Sequence, residues 1–388
     1  MAHIVEFTIE GLAGRQEPYS SRLNRDVNIF FGPNGSGKTS LLKILHSALS
    51  VEGEIVKAVP FTAASVTVYS DDYQRTFVYT IRRQVTVEPP TVSEQVASSP
   101  AKEPSAPKWE RVTEATDLKG LKDSWRHRYL PTSRLYLAAG QPPDLSAEYL
   151  LLTGARGARR SRGEEDLDAL FADSLRRLWS QYAAEISRAV RQAQEEGLAN
   201  ILRAVLFKGT GHQPGAADAK KAYETVSAFL HRQRAFTFVE PEERFIARYE
   251  GDEQLRSVVA DIEEVERKIE VAVAPQEALK RLVGEMFLGS KSVIFTDTGI
   301  DVVTAGAESI GLRTLSSGEK HLLRIFVEQL LAESGSMIID EPEISMHVDW
   351  QKKLVRALRD LNPKSQLIMA THSPEVMADV PDGDIFRI

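Results

Sequence analysis

Hydrophobic positions recur along this chain with two different periods, and each period predicts a different kind of element. Residues 3–10 (HIVEFTIE) alternate like a half-buried strand, and residues 27–31 (VNIFF) form an apolar run typical of a buried strand. Three more strand-like runs, EIVKAV, SVTVYS and TFVYTIRRQVTVE, follow between residues 54 and 88. The polar residues 71–74 (DDYQ) predict a hairpin turn between the last two runs. We therefore expect an antiparallel sheet here.

Between about residues 164 and 285 the period changes to three and four, which predicts amphipathic helices. Charged residues fill the other faces, and no heptad pattern runs long enough to favour the alternative, an extended coiled-coil arm. We therefore predict a helical lobe that buries one stripe of each helix. The apolar positions of the two clearest stripes are Leu167, Leu170, Phe171, Leu175, Leu178 and Trp179, and Val258, Ile262, Val265 and Ile269.

The last hundred residues return to strands and then alternate strands with helices. Residues 292–303 (SVIFTDTGIDVV) have a strand pattern, and a helix is predicted from residue 319 to about 332. The strands SMIID, QLIMA and DIFRI follow, separated by helices at about 349–360 and 374–378. This alternation predicts a mainly parallel, doubly wound sheet and places the chain in the α/β class.

Composition and charge exclude several kinds of protein. The chain has 388 residues, of which 42% are hydrophobic and 27% charged, as in an ordinary globular protein. The net charge of −7 argues against a cationic body that binds nucleic acid. Cysteine is absent, which excludes disulfides, thiolate metal sites and cysteine nucleophiles. With no signal-peptide pattern and no apolar run of about 20 residues, we expect a cytoplasmic protein that does not enter a membrane.

A glycine-rich motif lies between a predicted strand and a predicted helix. Residues 32–39 (GPNGSGKT) match G-x-x-x-x-G-K-[ST], after VNIFF and before TSLLKILHSAL. Glycine lets backbone N–H groups wrap around phosphates, and the helix N-terminus adds partial positive charge. We expect Lys38 to reach the β- and γ-phosphates and Thr39 to ligate Mg²⁺. The predicted phosphate site comprises Gly32, Pro33, Asn34, Gly35, Ser36, Gly37, Lys38, Thr39 and Ser40.

A second small-residue motif, residues 315–320 (LSSGEK), precedes a predicted amphipathic helix. Its serine hydroxyls, its glycine and the helix start can face an anion. Taken alone, the pattern favours an ordinary helix start capped by Ser316 or Ser317, with Glu319 in the first turn.

Two further motifs carry groups that suit hydrolysis of a phosphate bond. Residues 336–343 (SMIIDEPE) form an apolar strand that ends in acids. Asp340 is placed to hold Mg²⁺, and Glu341 is placed to polarise a water molecule. His372, in ATHSP, follows the last buried strand, at the edge of the sheet where ligands bind in open α/β folds. Taken singly, each motif is also typical of an ordinary strand-to-loop junction.

The four motifs stand in the order found in ABC-type ATPases, and the chain resembles that class, specifically its SMC, Rad50, RecF and OLD (overcoming-lysogenization-defect) branch. The resemblance covers about residues 1–85 and 290–388. Residues 341–351 (EPEISMHVDWQ) and 129–134 (YLPTSR) look most like OLD-type AAA proteins. The resemblance to ABC-type ATPases implies an ATPase head whose halves are residues 1–88 and 289–388. Between them lie a Pro-rich connecting segment (89–163) and a helical insert (164–288).

The resemblance also implies ATP and Mg²⁺ as ligands, with each site completed by a second protomer in a homodimer or higher homo-oligomer. Ser317 and Glu319 depart from the usual second glycine and glutamine of the 315–320 motif, and Gln141 is a candidate for the glutamine loop. The roles carried over are phosphate and Mg²⁺ binding by Lys38 and Thr39, Mg²⁺ binding by Asp340, catalytic base for Glu341, γ-phosphate sensing by His372, and contact with the partner's nucleotide by Ser316 and Gly318.

The implied function is ATP hydrolysis that controls the activity of another protein. Because the sequence ends sixteen residues after His372, we expect no Toprim nuclease domain to follow. A separate effector, a nuclease or a toxin in bacterial antiphage defence, is therefore expected. One alternative is a RecF- or Rad50-like DNA-repair ATPase, and another is an ATP-bound scaffold with little turnover.

Two basic clusters bear on whether nucleic acid is a ligand. Each is typical of a solvated loop, and phosphate contact is the alternative. The clusters are Arg156, Arg159, Arg160 and Arg162, and Lys119, Lys122, Arg126, Arg128 and Arg134.

Overall fold

The computed structural model describes residues 2–50, 56, 59–84, 108–113, 125–132, 164–206, 218–232, 240–287, 291–296, 299–304, 306 and 309–388. The chain divides into two compact units. The first comprises Met1–Leu178, Leu282–Ile294 and Ile300–Ile388, and the second comprises Trp179–Arg281 and Phe295–Gly299. Every predicted site residue that the structure describes lies in the first unit.

A five-stranded antiparallel sheet begins the first unit, with strand order β2-β1-β4-β5-β6. Along β1 and β4, side chains alternate between buried and more exposed, because one face of the sheet packs on the core. The strands are β1 (Ala2–Glu10), β2 (Tyr19–Arg22), β4 (Ala63–Ser70), β5 (Arg75–Gln84) and β6 (Lys108–Thr113). Ser70 pairs with Arg75, so residues 71–74 form the predicted hairpin turn.

A second five-stranded sheet, with order β12-β3-β11-β10-β7, carries the site. All of its pairings are parallel. Every residue of β10 and β11 is buried, which is why both read as continuous apolar runs. The strands are β3 (Val27–Phe31), β7 (His127–Leu130), β10 (Ser336–Asp340), β11 (Gln366–Thr371) and β12 (Ile385–Arg387).

Helices cover the parallel sheet and share a core with the antiparallel one. Phe7 of β1, Phe30 of β3, Leu41 of α1 and Ile338 of β10 belong to one buried cluster. The helices of this part of the unit are α1 (Lys38–Leu49), α6 (Ser317–Leu331), α7 (Val348–Leu361) and α8 (Pro374–Met377). Two short strands, β8 (Lys291–Phe295) and β9 (Ile300–Thr304), pair with each other.

The second unit is helical and has a small core of its own. Ala222, Phe245, Tyr249 and Val259 are buried together, and the Phe245 and Tyr249 rings stack with centroids 5.8 Å apart. Its helices are α3 (Ala219–Arg232), α4 (Glu242–Tyr249) and the parts of α2 (Glu164–Leu206) and α5 (Glu253–Met286) that lie between Trp179 and Arg281. Among the helices of the described residues, none is at once long and apolar enough to cross a membrane.

The α/β class is confirmed, although the parallel and antiparallel strands form separate sheets rather than one mixed sheet. In α5, Ile262 and Val265 are buried as predicted, whereas Val258 and Ile269 are only partly buried. Val259 is buried in place of Val258, because helical packing selects one of two adjacent apolar residues. The predicted strand EIVKAV lies largely outside the described residues. Strands β6 and β7 fall in the segment expected to be a loop and connection.

Candidate functional site

The glycine-rich loop joins β3 to α1 as the motif requires. Gly35 and Gly37 have φ values of 82° and 103°, a left-handed conformation in which glycine has no Cβ penalty. A Cβ on Gly32 would lie 2.4 Å from the backbone oxygen of Ile388, so that position also requires glycine. Pro33 and Asn34 are exposed, which leaves the outer face of the loop open.

The loop fits a bound phosphate group by its own chemistry. The Ser36 hydroxyl is buried, and within the described part of the chain it has no hydrogen-bond partner. A buried hydroxyl of this kind calls for an acceptor. Because α1 begins at Lys38, the positive end of its dipole faces the same space. An anionic oxygen would supply both the hydrogen-bond acceptor for Ser36 and the negative charge that the helix start favours.

Lys38 is nearly enclosed by the site, with 4% of its surface exposed. Its Nζ donates to the carbonyl oxygens of Gly32 (2.9 Å) and Pro33 (3.1 Å) and lies 2.8 Å from His372 Nε2. Burial lowers the pKa of Lys38, while the nearby charge of Glu341 acts in the opposite direction. The ammonium group is thus held at the mouth of the loop by weak acceptors that a phosphate can replace.

Asp340, at the end of β10, accepts hydrogen bonds from the hydroxyl groups of two residues in other parts of the chain. The Thr39 hydroxyl donates to its carboxylate, with the shorter distance 2.9 Å to Oδ2. The Thr132 hydroxyl donates to the same Oδ2 at 2.5 Å. Thr132 is brought there by β7, which pairs in parallel with β10 up to Leu130 opposite Ile339.

This set of oxygen atoms suits Mg²⁺, which prefers hydroxyl, carboxylate, phosphate and water oxygens. Within the described residues, no group of three or more His, Cys, Asp or Glu side chains is arranged to hold a metal ion. The Thr39 hydroxyl and the Asp340 carboxylate are the oxygen atoms that the described residues offer to such an ion.

Glu341 turns sharply out of β10. Its φ of 51° is left-handed, a conformation uncommon outside glycine and frequent at functional sites. Its Oε1 lies 3.0 Å from His372 Nε2. Burial raises the pKa of Glu341 to about 8, and the hydrogen bond with Glu343 and the charges of Glu343 and Asp340 act in the same direction. A raised pKa makes the Glu341 carboxylate a stronger base than an ordinary one once it is ionised.

The 315–320 motif forms a capping box at the start of α6. The backbone N–H of Glu319 donates to the Ser316 hydroxyl at 3.3 Å, and the backbone N–H of Ser316 donates to Glu319 Oε2 at 2.6 Å. Gly318 is buried, and a Cβ there would lie 2.2 Å from the backbone oxygen of Ser345. Ser316 and Ser317 are exposed, so the capped helix start presents hydroxyl groups outward.

Two residues of the site were not predicted. Thr132 lies in the string YLPTSR, which was singled out only as a resemblance. Glu343 lies in EPE, and its carboxylate reaches the turn that carries His372. Each of the two follows an apolar run in the sequence, which is the one signal that could have pointed to them. Nothing local in the sequence, however, shows which strand of the sheet such a run pairs with.

The basic clusters are mostly outside the described residues, as is Gln141. Arg126 and Arg128 are described, and each contacts an acid, Glu333 and Glu328 respectively. Arg128 is largely buried in that contact. Arg128 is therefore engaged within the chain, whereas 69% of the Arg126 side chain is exposed.

A pair of buried histidines connects α1 to β7. His46 Nδ1 lies 2.6 Å from His127 Nε2, and His127 Nδ1 lies 2.8 Å from the Trp125 carbonyl oxygen. Since a carbonyl only accepts, His127 Nδ1 carries a hydrogen and Nε2 of the neutral ring accepts from His46. Burial lowers the pKa of His127 to about 4 and that of His46 well below 6.5. Both rings are therefore neutral at pH 7.

We expect acid to destabilise the protein through this pair. Between about pH 6.5 and 4, the unfolded His127 binds a proton and the folded ring does not. The free energy of unfolding therefore decreases as the pH is lowered through this range. The difference in pKa corresponds to about 3 kcal/mol. Urea unfolding from pH 7 to 4.5 measures it, with His127→Phe as the comparison. The variant should show a smaller slope with pH, and equal slopes would contradict the prediction.

A family model described as "AAA domain, putative AbiEii toxin, Type IV TA system" matches residues 180–378, just over half of the chain. The matched range includes residues 315–320, residues 336–343 and His372. It leaves out the glycine-rich loop at residues 32–39, which is assigned from its own sequence and geometry.

Two curated relatives align with a short part of the chain. "Retron Vc95 probable ATPase" of Vibrio cholerae serotype O1 biovar El Tor is 32% identical over 97 residues, 22% of this chain and 19% of that protein. "Septu protein PtuA" of Bacillus thuringiensis is 28% identical over 102 residues, 22% of this chain and 26% of that protein. The chain therefore matches far less than two thirds of either relative's length.

Solved SMC heads resemble the chain over nearly all of its length. An Smc head domain with an extended coiled coil, bound to the C-terminal domain of ScpA, from Pyrococcus furiosus, has 14% identity and a TM-score of 0.43. That alignment covers 97% of this chain and 92% of the other. The SMC head domain from Thermotoga maritima has 11% identity and a TM-score of 0.40, over 97% and 91%.

Proposed function

The chain belongs to the family described as "AAA domain, putative AbiEii toxin, Type IV TA system", in the ABC-type, SMC-like branch expected from its motifs, and from that premise we propose that it hydrolyses ATP with Mg²⁺. One observation carries the proposal. Three separate segments of the chain meet around one loop: His372 lies within hydrogen-bonding distance of Lys38 and Glu341, and Asp340 accepts a hydrogen bond from Thr39, the residue after Lys38. This is the arrangement that phosphoryl transfer needs, since catalysis there consists mainly of positioning and charge stabilisation.

Each group has a role in this proposal. The backbone N–H groups of the loop and Lys38 bind the phosphates, while Thr39 and Asp340 hold Mg²⁺, which neutralises phosphate charge when bound. Glu341 orients a water molecule and accepts its proton. His372, adjacent to both Lys38 and Glu341, contacts the terminal phosphate.

We also propose that two protomers complete each site. Ser316 and Ser317 are exposed at the N-terminus of a fifteen-residue helix, where hydroxyl and N–H groups favour an anion. The capping bond uses the Ser316 oxygen as acceptor, which leaves its hydrogen free to donate to a partner's nucleotide. ATP would then hold a homodimer together.

For the biological role, we propose control of a separate effector, a nuclease or a toxin, in cytoplasmic antiphage defence. The names of the relatives and the toxin system in the family description support this role. The contact of the largely buried Arg128 with Glu328 weighs against a role for that residue in the DNA-repair alternative.

ATP turnover by the purified protein tests the enzymatic part of the proposal. We expect phosphate release that needs Mg²⁺ and stops with EDTA, measured with and without DNA and with the product of the neighbouring gene. Turnover that depends on DNA would favour a repair ATPase, and bound ATP without turnover would favour a scaffold. Absence of both binding and hydrolysis in every mixture would overturn the proposal.

Thr132→Val should raise the Mg²⁺ concentration needed for half-maximal turnover about ten-fold, because loss of a hydrogen-bond partner to a metal-binding carboxylate costs about 10–100-fold in metal affinity or activity. Thr132→Ser keeps the hydroxyl and should resemble the unaltered protein. Mg²⁺ titration of the ATPase rate distinguishes them. An unchanged Mg²⁺ requirement in the valine variant would show that Thr132 does not position Asp340.

A further inference from the structure

Glu343 joins the loop that leaves β10 to the turn that follows β11. One of its oxygens, Oε1, accepts three hydrogen bonds. They come from the Thr371 hydroxyl at 2.7 Å, the His372 backbone N–H at 2.7 Å and the Ser373 backbone N–H at 3.1 Å. A single carboxylate oxygen thus fixes three consecutive residues.

The strand pairing explains why a clamp is needed at this point. Strands β10 and β11 pair in register from Ser336 to Asp340, and the backbone N–H of Glu341 extends the pairing to Ala370. Beyond Ala370 the two chains separate, and the N–H groups of the turn lie past the ladder. Partly buried N–H groups require acceptors, and Glu343 supplies one to both.

The clamped turn places the His372 ring between two groups of the candidate site. Its Nε2 lies 2.8 Å from Lys38 Nζ and 3.0 Å from Glu341 Oε1. The following residue is fixed from the other side, because the Ser373 hydroxyl donates to Gln351 at 2.7 Å. The direction of the imidazole therefore depends on the backbone that Glu343 holds.

We infer that Glu343 is a positioning residue of the ATPase site, which sets the direction of His372 and so its contact with the terminal phosphate. The inference rests on the proposed hydrolysis of ATP. Besides its direct contact with Glu341, Glu343 acts through the Thr371–Ser373 turn, and its position three residues after Asp340 ties the metal-binding strand to the phosphate-sensing turn. The loop after β10 and the turn after β11 would then move together when a nucleotide binds.

Two substitutions of similar size separate hydrogen bonding from charge. Glu343→Met fills the space but accepts no hydrogen bond, whereas Glu343→Gln keeps one acceptor oxygen without the charge. With the methionine we expect kcat to fall about 100-fold, as when a reacting group is displaced by about 1 Å. KM should change less than about three-fold, because Lys38 and the glycine-rich loop are untouched. Glutamine should restore kcat to within about ten-fold of the unaltered value.

A second measurement does not depend on turnover. Amide hydrogen exchange of the nucleotide-free protein reports the His372 N–H, which donates to Glu343, whereas the Ser373 N–H also donates to the Thr371 hydroxyl at 3.0 Å. Exchange at His372 should be at least about ten-fold faster in Glu343→Met and close to the original in Glu343→Gln. Glu10→Met, at an exposed position at the end of β1, is the matched control and should leave exchange at His372 unchanged.

The outcomes separate the inference from the proposed function. If the unaltered protein hydrolyses ATP and the methionine variant matches it in kcat and exchange, the inference is overturned and the function stands. If the unaltered protein shows no hydrolysis, the function fails, and exchange alone decides whether Glu343 clamps the turn. Should Glu343→Met not fold, Thr371→Val removes the hydroxyl that donates to Glu343 and accepts from the Ser373 N–H. It leaves the bond from the His372 N–H to Glu343 in place and should give a smaller change in the same direction.

Discussion

Replacing Lys38 with alanine should raise the Kd for ATP at least about a hundred-fold. The ammonium group is buried among the Gly32 and Pro33 carbonyls and His372, where few waters can take its place beside a phosphate. Removing one member of a desolvated, hydrogen-bonded charge pair costs about 2–5 kcal/mol, and about 3 kcal/mol corresponds to that change in Kd. Isothermal titration with ATP and Mg²⁺ measures it.

Lys43→Ala is the matched control for this substitution. It removes a lysine from the same helix, α1, one and a half turns farther from the loop, and it should bind ATP like the unaltered protein. Thermal melting of both variants tests whether the fold is retained. A Kd for Lys38→Ala within three-fold of the original would show that phosphate is bound elsewhere.

Glu341→Gln should stop hydrolysis while ATP stays bound. Glutamine keeps the shape of the side chain but accepts no proton from water, and loss of a general base lowers rates by about 10²–10⁴-fold. The Kd for ATP should remain within a few-fold, because the amide leaves the phosphate contacts in place. An ATP-bound dimer should then accumulate, which light scattering detects after gel filtration with ATP and Mg²⁺.

Glu10→Gln provides the same chemical change at an exposed position at the end of β1 and should alter neither rate nor mass. EDTA should return the Glu341→Gln dimer to monomers. Turnover at the original rate in Glu341→Gln would exclude this carboxyl as the base, and a monomer saturated with ATP would count against the shared site.

The parts of the site that are continuous in sequence could be predicted, and the parts made by strand pairing could not. Val27–Phe31 and Ser336–Asp340 have the predicted bounds because a buried parallel strand is an unbroken apolar run between turn residues. His127–Leu130 has only four residues and a mixed pattern, and its place beside β10 is determined by pairing over some two hundred residues. The position of Thr132 in the site therefore could not be predicted from the sequence.

The start of α6 shows a different limit. The sequence favoured an ordinary capped helix when the motif was taken alone, and the capping box is present. Capping uses the Ser316 oxygen and the Glu319 carboxylate, whereas the proposed contact with a partner uses the Ser316 hydrogen and exposed N–H groups. One motif can serve both purposes, so the pattern could not have decided between them.

The order of strands in the parallel sheet has a consequence for how the protein is made. Strand β3, which leads into the phosphate loop, is flanked by β11 and β12, and Gln366 bonds the backbone of Ile4 across 362 positions. Contacts between such distant segments form late, because a long loop must close first. During synthesis the loop that binds ATP therefore has no sheet to support it until residues 366–387 leave the ribosome. Until then the helical insert, already emerged, can fold on local contacts, so competence for ATP is acquired after the insert has had time to fold.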